Sequence, residues 1–313
     1  MTARPRTTAL YGQPAATRIT VVVLTYNRVS QVLDTLAKLI ALPDQPRIVL
    51  VDNASADGTA ERVSQRFPSV QVIKSRVNLG AAGRNLGVEC VRTEYVAFCD
   101  DDTWWTAGSL VRAISILDAA PKVAVLTARV LVDQEQAYDE TCLLMKASAL
   151  GVQDLPGPSL IGYMAGASVF RTAVFRRVGG YEPRLFIGGE EELVALDVLT
   201  RGHAIVYAED LVVHHHPSTL RDSARRRCLL ARNAAWVAWL RLPLPEACRT
   251  TLRALAVMRR EGAFSGDALA LFTALPWALA RRRVIPADVR RMRAIVRRAE
   301  ARKDALQHTD GLE

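Results

Sequence analysis

The chain has 313 residues, of which 50% are hydrophobic, so it can form a large core and is neither a disulfide-stapled miniprotein nor a disordered tail. Its five cysteines form no Cys-x-x-Cys pair and lie mostly in apolar runs, which predicts reduced thiols and a cytoplasmic protein. The longest apolar candidate for a membrane span, residues 268–280, is too short and contains Pro276. The first residues lack the apolar region of a secretory signal, so we expect neither a spanning helix nor export.

The net charge of +9 is concentrated in the last third of the chain. Residues 217–313 hold 20 Lys and Arg against 9 Asp and Glu, whereas residues 1–216 hold 21 against 23. A cationic region of this kind suits phosphates on nucleic acid or on a membrane surface, and equally a solvated helical face. Because few aromatic residues are interleaved with the arginines and no RNA or DNA motif is present, we expect no nucleic-acid partner.

Short β-rich runs alternate with helical patterns in the first 130 residues. Strands are predicted at 19–25, 47–52, 70–74, 95–100 and 123–130, and helices at 30–42, 58–67, 81–91 and 106–119. The strands are apolar on both faces, which predicts an α/β fold with a doubly wound, mostly parallel sheet and helices on both faces. Ligands bind such sheets at the carboxyl ends of the strands.

The later elements are less regular. A connecting loop is predicted at 132–160, followed by an apolar run at 162–170 and a helix that ends near Gly202. Strand-like segments follow at 204–207 and 211–214. Beyond Pro217 the pattern is helical almost to the end of the chain, so we expect a helical C-terminal region.

Three adjacent aspartates, Asp100, Asp101 and Asp102, close the fourth predicted strand. Neighbouring carboxylates repel one another and are tolerated chiefly where a cation or hydrogen-bond donors neutralise them. Mg²⁺ and Mn²⁺ favour one or two carboxylates, with water and phosphate oxygens as the other ligands. The strand end is therefore suited to a metal-bound nucleoside diphosphate. The alternative is a solvated acidic turn that caps the next helix.

Two other strand ends carry polar groups. Asp52 can accept hydrogen bonds from a nucleobase or ribose, although an ordinary Asx turn is an equal alternative. Asn78 and the small residues of 80–87 precede or open the third predicted helix, where backbone amides can approach an anion. Arg84 can reach a phosphate or a neighbouring aspartate from this helix.

Taken together, these motifs resemble glycosyltransferase family 2, whose members have the nucleotide-sugar-binding GT-A fold. The resemblance spans about 19–217 and rests on the ordered segments VVVLTYNR, LVDNASADGT, NLGAAGRNLG, FCDDDTWW, GGYEP and FIGGEEELVALDVLTRG. It implies an inverting, metal-dependent hexosyl- or deoxyhexosyltransferase that uses a nucleoside-diphosphate sugar and Mn²⁺ or Mg²⁺. The acceptor would be a hydroxyl on a glycan, a lipid-linked sugar or a small molecule.

The resemblance also implies a division of the chain and a set of roles. An N-terminal extension (1–18) would precede a nucleotide-sugar-binding half (19–130), an acceptor-binding and catalytic half (131–216) and the basic helical region (217–313). The donor would contact Thr25, Tyr26, Arg28, Asp52, Asn78, Gly80, Arg84, Asp100 and Asp101. The metal would meet Asp100 and Asp102. The acceptor side would include Trp105, Tyr163, Gly166 and Glu190, although adjacent tryptophans are more often core residues.

The catalytic acid departs from the usual family pattern. Members usually have Glu-Asp with a second Asp two places later, whereas this chain has three glutamates and then Leu193. Counting eleven residues back from Gly202 places Glu191 at the position of the catalytic base. The alternative is that the glutamates only complement a helix N-terminus.

Three histidines, His214, His215 and His216, follow a late strand where many family members have a metal-binding histidine. Strand alternation places His214 and His216 on one face, and we assign the metal to His214 while leaving the choice among the three open. The alternative is a surface histidine cluster.

Other classes of function compete with this prediction. A sugar-1-phosphate nucleotidyltransferase would have a Gly-rich basic loop after the first strand, where this chain has TYNRVS. A non-catalytic nucleotide-sugar-binding module would be expected to lack one of the acidic groups, and all are present. Residues 286–303 form an amphipathic basic pattern, which predicts either peripheral contact with an anionic membrane or packing against the protein or a second copy.

Overall fold

The computed structural model describes residues 15–132, 137–217, 224–262 and 264–310. Its strands are β1 (Ile19–Thr25), β2 (Arg47–Asp52), β3 (Gln71–Lys74), β4 (Tyr95–Asp100), β5 (Thr103–Trp105), β6 (Val123–Val132), β7 (Ala137–Tyr138), β8 (Ser159–Leu160), β9 (Ser168–Arg171) and β10 (Ala204–His215). Its helices are α1 (Ala15–Arg18), α2 (Val29–Ile40), α3 (Thr59–Arg66), α4 (Gly83–Cys90), α5 (Ser109–Ala119), α6 (Glu140–Lys146), α7 (Thr172–Val178), α8 (Glu190–Thr200), α9 (Ala224–Arg241), α10 (Leu244–Arg260), α11 (Phe264–Thr273), α12 (Leu275–Ala280) and α13 (Ala287–Asp310).

One mixed sheet organises these elements in the order β3-β2-β1-β4-β9-β6-β10-β5, with β7 beside β6 and β8 beside β10. Strands β3, β2, β1 and β4 are parallel, as are β6 and β10, whereas β9 is antiparallel to both β4 and β6. The central strands are buried on both faces, because helices cover the sheet. The predicted doubly wound, mostly parallel α/β fold is confirmed.

The structure corrects several predicted elements after the fourth strand. The segments predicted as two strands form the single strand β10, whose pairing with β6 shifts register between Ala208 and Val212. The charged residues Glu209 and Asp210 lie in this irregular stretch and are turned at least partly to solvent. The helix predicted from Thr106 begins at Ser109, and the residues just before it form β5, which pairs with β10.

The C-terminal helices pack on the sheet and its helices through their apolar residues. Trp236, Val237 and Leu240 of α9 and Val289 of α13 belong to the same buried cluster as the sheet. Ion pairs join α13 to the other helices: Arg293 contacts Glu192 of α8 at 2.6 Å and Arg297 contacts Glu246 of α10 at 2.9 Å. Of the apolar residues in the stripe predicted in 286–303, Val289 is buried and Met292 packs against this cluster, whereas Ile295 is 39% exposed. In the described part of the chain, no helix is long and apolar enough to cross a membrane.

Candidate active site

A cleft of about 570 Å³ opens at the carboxyl ends of β1 and β4. It forms there because β1 lies between β2 and β4, with Thr25 beside Asp52 and Leu24 beside Asp100 in the sheet. Most of the predicted site residues line it, namely Thr25, Tyr26, Arg28, Asn78, Gly80, Arg84, Asp100, Asp101, Asp102, Gly166, Glu190 and Glu191. The four predicted residues outside its lining are Asp52, Trp105, Tyr163 and His214.

The three aspartates have different partners. Asp100 pairs with the buried Arg84, and its side chain is 39% exposed. Asp101 accepts hydrogen bonds from Arg28 Nη1 at 2.9 Å and Thr25 Oγ1 at 3.0 Å. Burial raises the pKa of Asp101 to about 6, against the lowering influence of Arg28. Asp101 thus anchors the loop after β1, while Asp100 is the aspartate most open to the cleft.

Asp102 lies beside a histidine, but not the one predicted. His215 Nε2 lies 3.6 Å from Asp102 Oδ1, and Arg28 Nη1 lies 3.2 Å from Asp102 Oδ2. Successive residues of a strand point to opposite faces, so His214 points away and stacks on Trp104 with ring centroids 5.4 Å apart. Burial lowers the pKa of His214, and the nearby Lys38 lowers it further.

Asp102 supplies a carboxylate, which suits Mn²⁺ and Mg²⁺ together with phosphate or water oxygens, and His215 supplies an imidazole, which suits Mn²⁺ better than Mg²⁺. Within the described ranges, no group of three or more Asp, Glu, His or Cys side chains is arranged to hold a metal ion. The pair therefore fits a divalent ion only as part of a set completed by oxygens of a bound diphosphate.

Asp52 makes a local contact with the turn after β2 rather than lining the cleft. It is buried, and its Oδ1 accepts a hydrogen bond from the backbone amide of Ser55 at 2.9 Å. The next residue, Asn53, lines the cleft instead. Asn53 donates to Asn78 Oδ1 at 2.8 Å and to the Gly80 carbonyl at 3.0 Å, and it accepts from the Leu79 amide at 2.9 Å. Sequence reasoning missed Asn53, although it follows Asp52 directly in the same motif.

The three glutamates at the start of α8 have three environments. Glu191 accepts a 2.8 Å hydrogen bond from the Ala165 amide, and burial, together with the neighbouring Glu190, raises its pKa to about 7. Glu190 is buried, which raises the pKa of its carboxyl as well. Glu192 turns to Arg293 on α13. Glu191 is thus the glutamate in the cleft whose pKa lies near neutrality, as a general base requires.

Two residues predicted on the acceptor side belong to the core. Trp105 is fully buried in β5, where it pairs with β10. Tyr163 is 5% exposed and its hydroxyl lies 3.2 Å from that of Tyr181. Gly166 does line the cleft, and a Cβ added there would lie 2.5 Å from Asp100 Oδ2. The prediction of Trp105 on the acceptor side is therefore corrected, because its ring is packed in the core, whereas Tyr163 lines a separate apolar cavity between α6 and α13.

The cleft has a second wall that sequence reasoning missed. It includes Phe186 before α8, and Arg226 and Leu230 on α9. The predicted boundary at residue 216 assigned α9 to a separate region, and no motif marks its residues. Only the packing of α9 on the catalytic domain reveals that it helps to form the site.

Comparisons with known proteins agree with this geometry. The family model described as Glycosyl transferase family 2 matches residues 20–179, about half of the chain. A Mycobacterium tuberculosis N-acetylglucosaminyl-diphospho-decaprenol L-rhamnosyltransferase is 24% identical, with 76% of this chain and 90% of that protein covered. A pre-mycofactocin glycosyltransferase of the same organism is 27% identical over 71% of this chain and 48% of its own length.

Solved structures show the same fold. The mannosyltransferase PcManGT from Pyrobaculum calidifontis aligns with a TM-score of 0.56 at 20% identity, over 94% of this chain and 79% of that one. Residues 1–349 of S. aureus TarS align with a TM-score of 0.53 at 17% identity, over 88% and 83%. With the family match, these findings show that the chain belongs to glycosyltransferase family 2 and is a glycosyltransferase that uses nucleotide-sugar donors.

Proposed function

We propose that this enzyme transfers a hexosyl or deoxyhexosyl group to an acceptor hydroxyl with inversion at the anomeric carbon, and that Glu191 is the general base. The observation that carries the proposal is the position of Glu191. Its carboxylate lines the same cleft as the acidic end of β4, and its pKa is raised to about 7. A carboxylate with such a pKa binds a proton more strongly than an ordinary glutamate while remaining partly ionised near neutral pH.

The donor would lie across the ends of β1 and β4. Tyr26 is 45% exposed at the cleft and is suited to contact the nucleobase. Arg28 and Arg84 place two guanidinium groups in the lining, where they suit the diphosphate, and Thr25, Asn78 and Gly80 complete the donor contacts. Asp52 would act through the turn that positions Asn53.

Asp102 and His215 would hold the divalent ion; Asp100, which was also predicted as a ligand, pairs with Arg84 and would face the donor beside the ion. A bound Mn²⁺ or Mg²⁺ stabilises negative charge on a departing diphosphate. Support comes from the solved relatives: PcManGT was crystallised with GDP-Man and Mn²⁺, and GalNAc-T7, at a TM-score of 0.59 and 13% identity, with UDP, GalNAc and Mn²⁺.

The chemistry is a single displacement. The acceptor oxygen forms a bond to the anomeric carbon as the bond from that carbon to the diphosphate oxygen breaks, and the leaving group takes the electron pair. Glu191 takes the proton of the acceptor hydroxyl. Arg28 and Arg84 are placed to offset the charge that develops on the leaving diphosphate.

We further propose a lipid-linked acceptor. The M. tuberculosis relative covered over 90% of its length is named for a decaprenol-linked acceptor. In this chain, an apolar cavity of about 290 Å³ lies between α6 and α13, and its walls include Leu144, Met145, Leu160 and Val296. A cavity of this kind suits part of a hydrocarbon chain, and the basic C-terminal helices would suit peripheral attachment to an anionic membrane.

A thermal-shift panel of nucleotide sugars, with and without Mn²⁺, tests the donor half of the proposal. We expect one sugar nucleotide to raise the melting temperature more in the presence of the metal. Incubation of that donor with prenyl-diphospho-sugar and free-sugar acceptors then tests transfer, and NMR of the product gives the anomeric configuration. Donor binding without transfer to any acceptor would favour a non-catalytic module, whereas pyrophosphate release from a nucleoside triphosphate and a sugar 1-phosphate would indicate a nucleotidyltransferase.

A further inference from the structure

The turn that leads into α8 has an unusual backbone. Phe186 has φ 58° and ψ −65°, and the amide of Ile187 donates to the carbonyl of Leu185 at 2.6 Å. This is a γ-turn with a positive φ at its central residue, a conformation that is rare and strained for any residue with a Cβ. Such a turn persists only where the surrounding structure holds it. Glu190 and Glu191 begin α8 four residues further on.

One buried side chain holds this turn from the C-terminal helices. Asn233 of α9 is 0% exposed, and its Nδ2 lies within hydrogen-bond distance of three carbonyls, those of Leu185 at 2.5 Å, Ile187 at 3.0 Å and Gly188 at 2.8 Å, so that one of its two N–H groups is shared between two of them. Its Oδ1 accepts from Arg232, which fixes the orientation of the amide. Without Asn233, carbonyls of the turn would lose their side-chain donor in the interior of the protein.

The same turn is held from the donor side. The amide of Ala81 donates to the Phe186 carbonyl at 2.7 Å, and a Cβ added to Gly80 would lie only 2.0 Å from that oxygen. On the other side, a Cβ added to Gly188 would lie 2.0 Å from Leu230 of α9. The turn therefore fits between the donor loop and α9 without free space on either side.

We propose that Asn233 is a positioning residue for the transfer reaction: it holds the strained 185–188 turn and so fixes the carboxylate of Glu191 relative to the donor. This inference rests on the proposed function, in which Glu191 is the base. It also assigns a catalytic contribution to α9, because a residue outside the family-matched segment 20–179 then determines the geometry of the site.

Three substitutions test the proposal. Asn233→Ala removes both N–H donors, Asn233→Asp replaces them with an oxygen at nearly constant volume, and Asn233→Ser keeps one donor in a smaller side chain. We expect kcat to fall by about 100-fold in the alanine and aspartate variants, because a misplacement of about 1 Å costs this much, and by less in the serine variant. The affinity for the nucleoside diphosphate, measured by calorimetry, should change little.

Thr251→Val provides the matched control. Thr251 is also buried, and its hydroxyl accepts a 2.9 Å hydrogen bond from Trp239, but these contacts lie between α9 and α10, away from the turn. This variant should lose thermal stability and retain kcat. Folding of every variant is checked by circular dichroism, and the serine variant keeps the test valid if the alanine variant does not fold.

The outcomes separate the two proposals. If Glu191→Gln is inactive while the folded Asn233 variants keep the kcat of the unchanged enzyme, the positioning role is wrong and the base assignment stands. If Glu191→Gln remains active, the base assignment is wrong. If kcat falls by the same factor in the Asn233 variants and in Thr251→Val, the positioning role is also wrong, since the fall would then reflect lost stability alone.

Discussion

The backbone amide of Ala165 donates a 2.8 Å hydrogen bond to Oε1 of Glu191. This bond lowers the pKa of the carboxyl, whereas burial and the neighbouring Glu190 raise it, and the balance lies at about 7. The amide therefore orients the carboxylate without reducing its basicity to that of a solvent-exposed glutamate. The proposed base is therefore already oriented in the cleft.

Glu191→Gln should reduce kcat by 100-fold or more, in the range of about 10²–10⁴ typical of a general base, because the amide cannot accept the proton. Donor affinity should be nearly unchanged, which calorimetry with the nucleoside diphosphate can measure. Glu192→Gln is the control, since Glu192 pairs with Arg293 rather than lining the cleft. Normal turnover in Glu191→Gln with a loss in Glu190→Gln would move the base by one residue, and a product with retained configuration would contradict the single displacement.

The activity of the enzyme should increase with pH across neutrality. Glu191 must be deprotonated to act as a base, and its pKa is raised to about 7. The logarithm of kcat/KM should therefore rise with pH below about 7 and level off above it. A kcat/KM profile that is already flat from pH 5 upward would show that no group with this pKa in the free enzyme controls the reaction.

The same pKa predicts that folding stability falls as pH rises. The pKa of Glu191 is higher in the folded protein, about 7, than its ordinary value of 4.5, so the folded state binds more protons between these values. At about 1.4 kcal/mol per pKa unit, the loss from pH 4 to pH 8 is at most roughly 3 kcal/mol. Urea unfolding of Glu191→Gln should lack this contribution. An identical pH dependence in both proteins would contradict the raised pKa.

Asp102→Asn and His215→Ala should each weaken binding of the nucleoside diphosphate in Mn²⁺, by about ten-fold or more, because each removes one of the two proposed ligands. His214→Ala is the matched control: its ring stacks on Trp104, and the variant should bind Mn²⁺ and the diphosphate as before. Calorimetry with and without the metal measures both effects. If Mn²⁺ no longer strengthens diphosphate binding in the His214 variant but does so in the other two variants, the metal ligand is His214, as first predicted.

The C-terminal helices should contribute strongly to the stability of the catalytic domain through one ion pair. Arg241 of α9 contacts both oxygens of Asp197 on α8, at 2.6 Å and 2.8 Å, and both side chains are 12% exposed. Asp197→Ala should cost about 3–5 kcal/mol of unfolding free energy, because it leaves a largely buried arginine uncompensated. Lys74→Ala, at the exposed pair with Glu61, is the control and should leave the urea midpoint nearly unchanged, because solvent screens this pair.

The fold was predictable because its signals are local. Segments such as Ile19–Thr25 are short, apolar and β-branched, and their alternation with helical patterns determines a parallel sheet. The position of the cleft was predictable from the polar residues at the strand ends. The choice of histidine was not, because strand alternation places neighbouring histidines on opposite faces but does not show which face lies toward Asp102. Trp105 was misplaced because its segment becomes a strand only by pairing with β10, which lies more than a hundred residues later in the chain.

Asn233 illustrates more clearly what could not be predicted from the sequence. Its partners lie 45 to 48 residues earlier in the chain, and a single asparagine in a helical pattern carries no signal of such contacts. The glycines before α8 and the helical pattern after Pro217 were both visible in the sequence, but the contact between them was not. Contacts of this kind depend on how two distant segments pack together, so neither segment alone predicts them.

The contact between Gly80 and the Phe186 carbonyl has a consequence for the order of folding. It joins segments more than a hundred residues apart, and α9 must then dock on the turn from still later in the chain. Domains emerge from the ribosome N-terminus first, and distant contacts form slowly. The parallel strands β1 to β4 can therefore pair early, but the sheet is completed only with β10, and the catalytic cleft only after α9 has been synthesised.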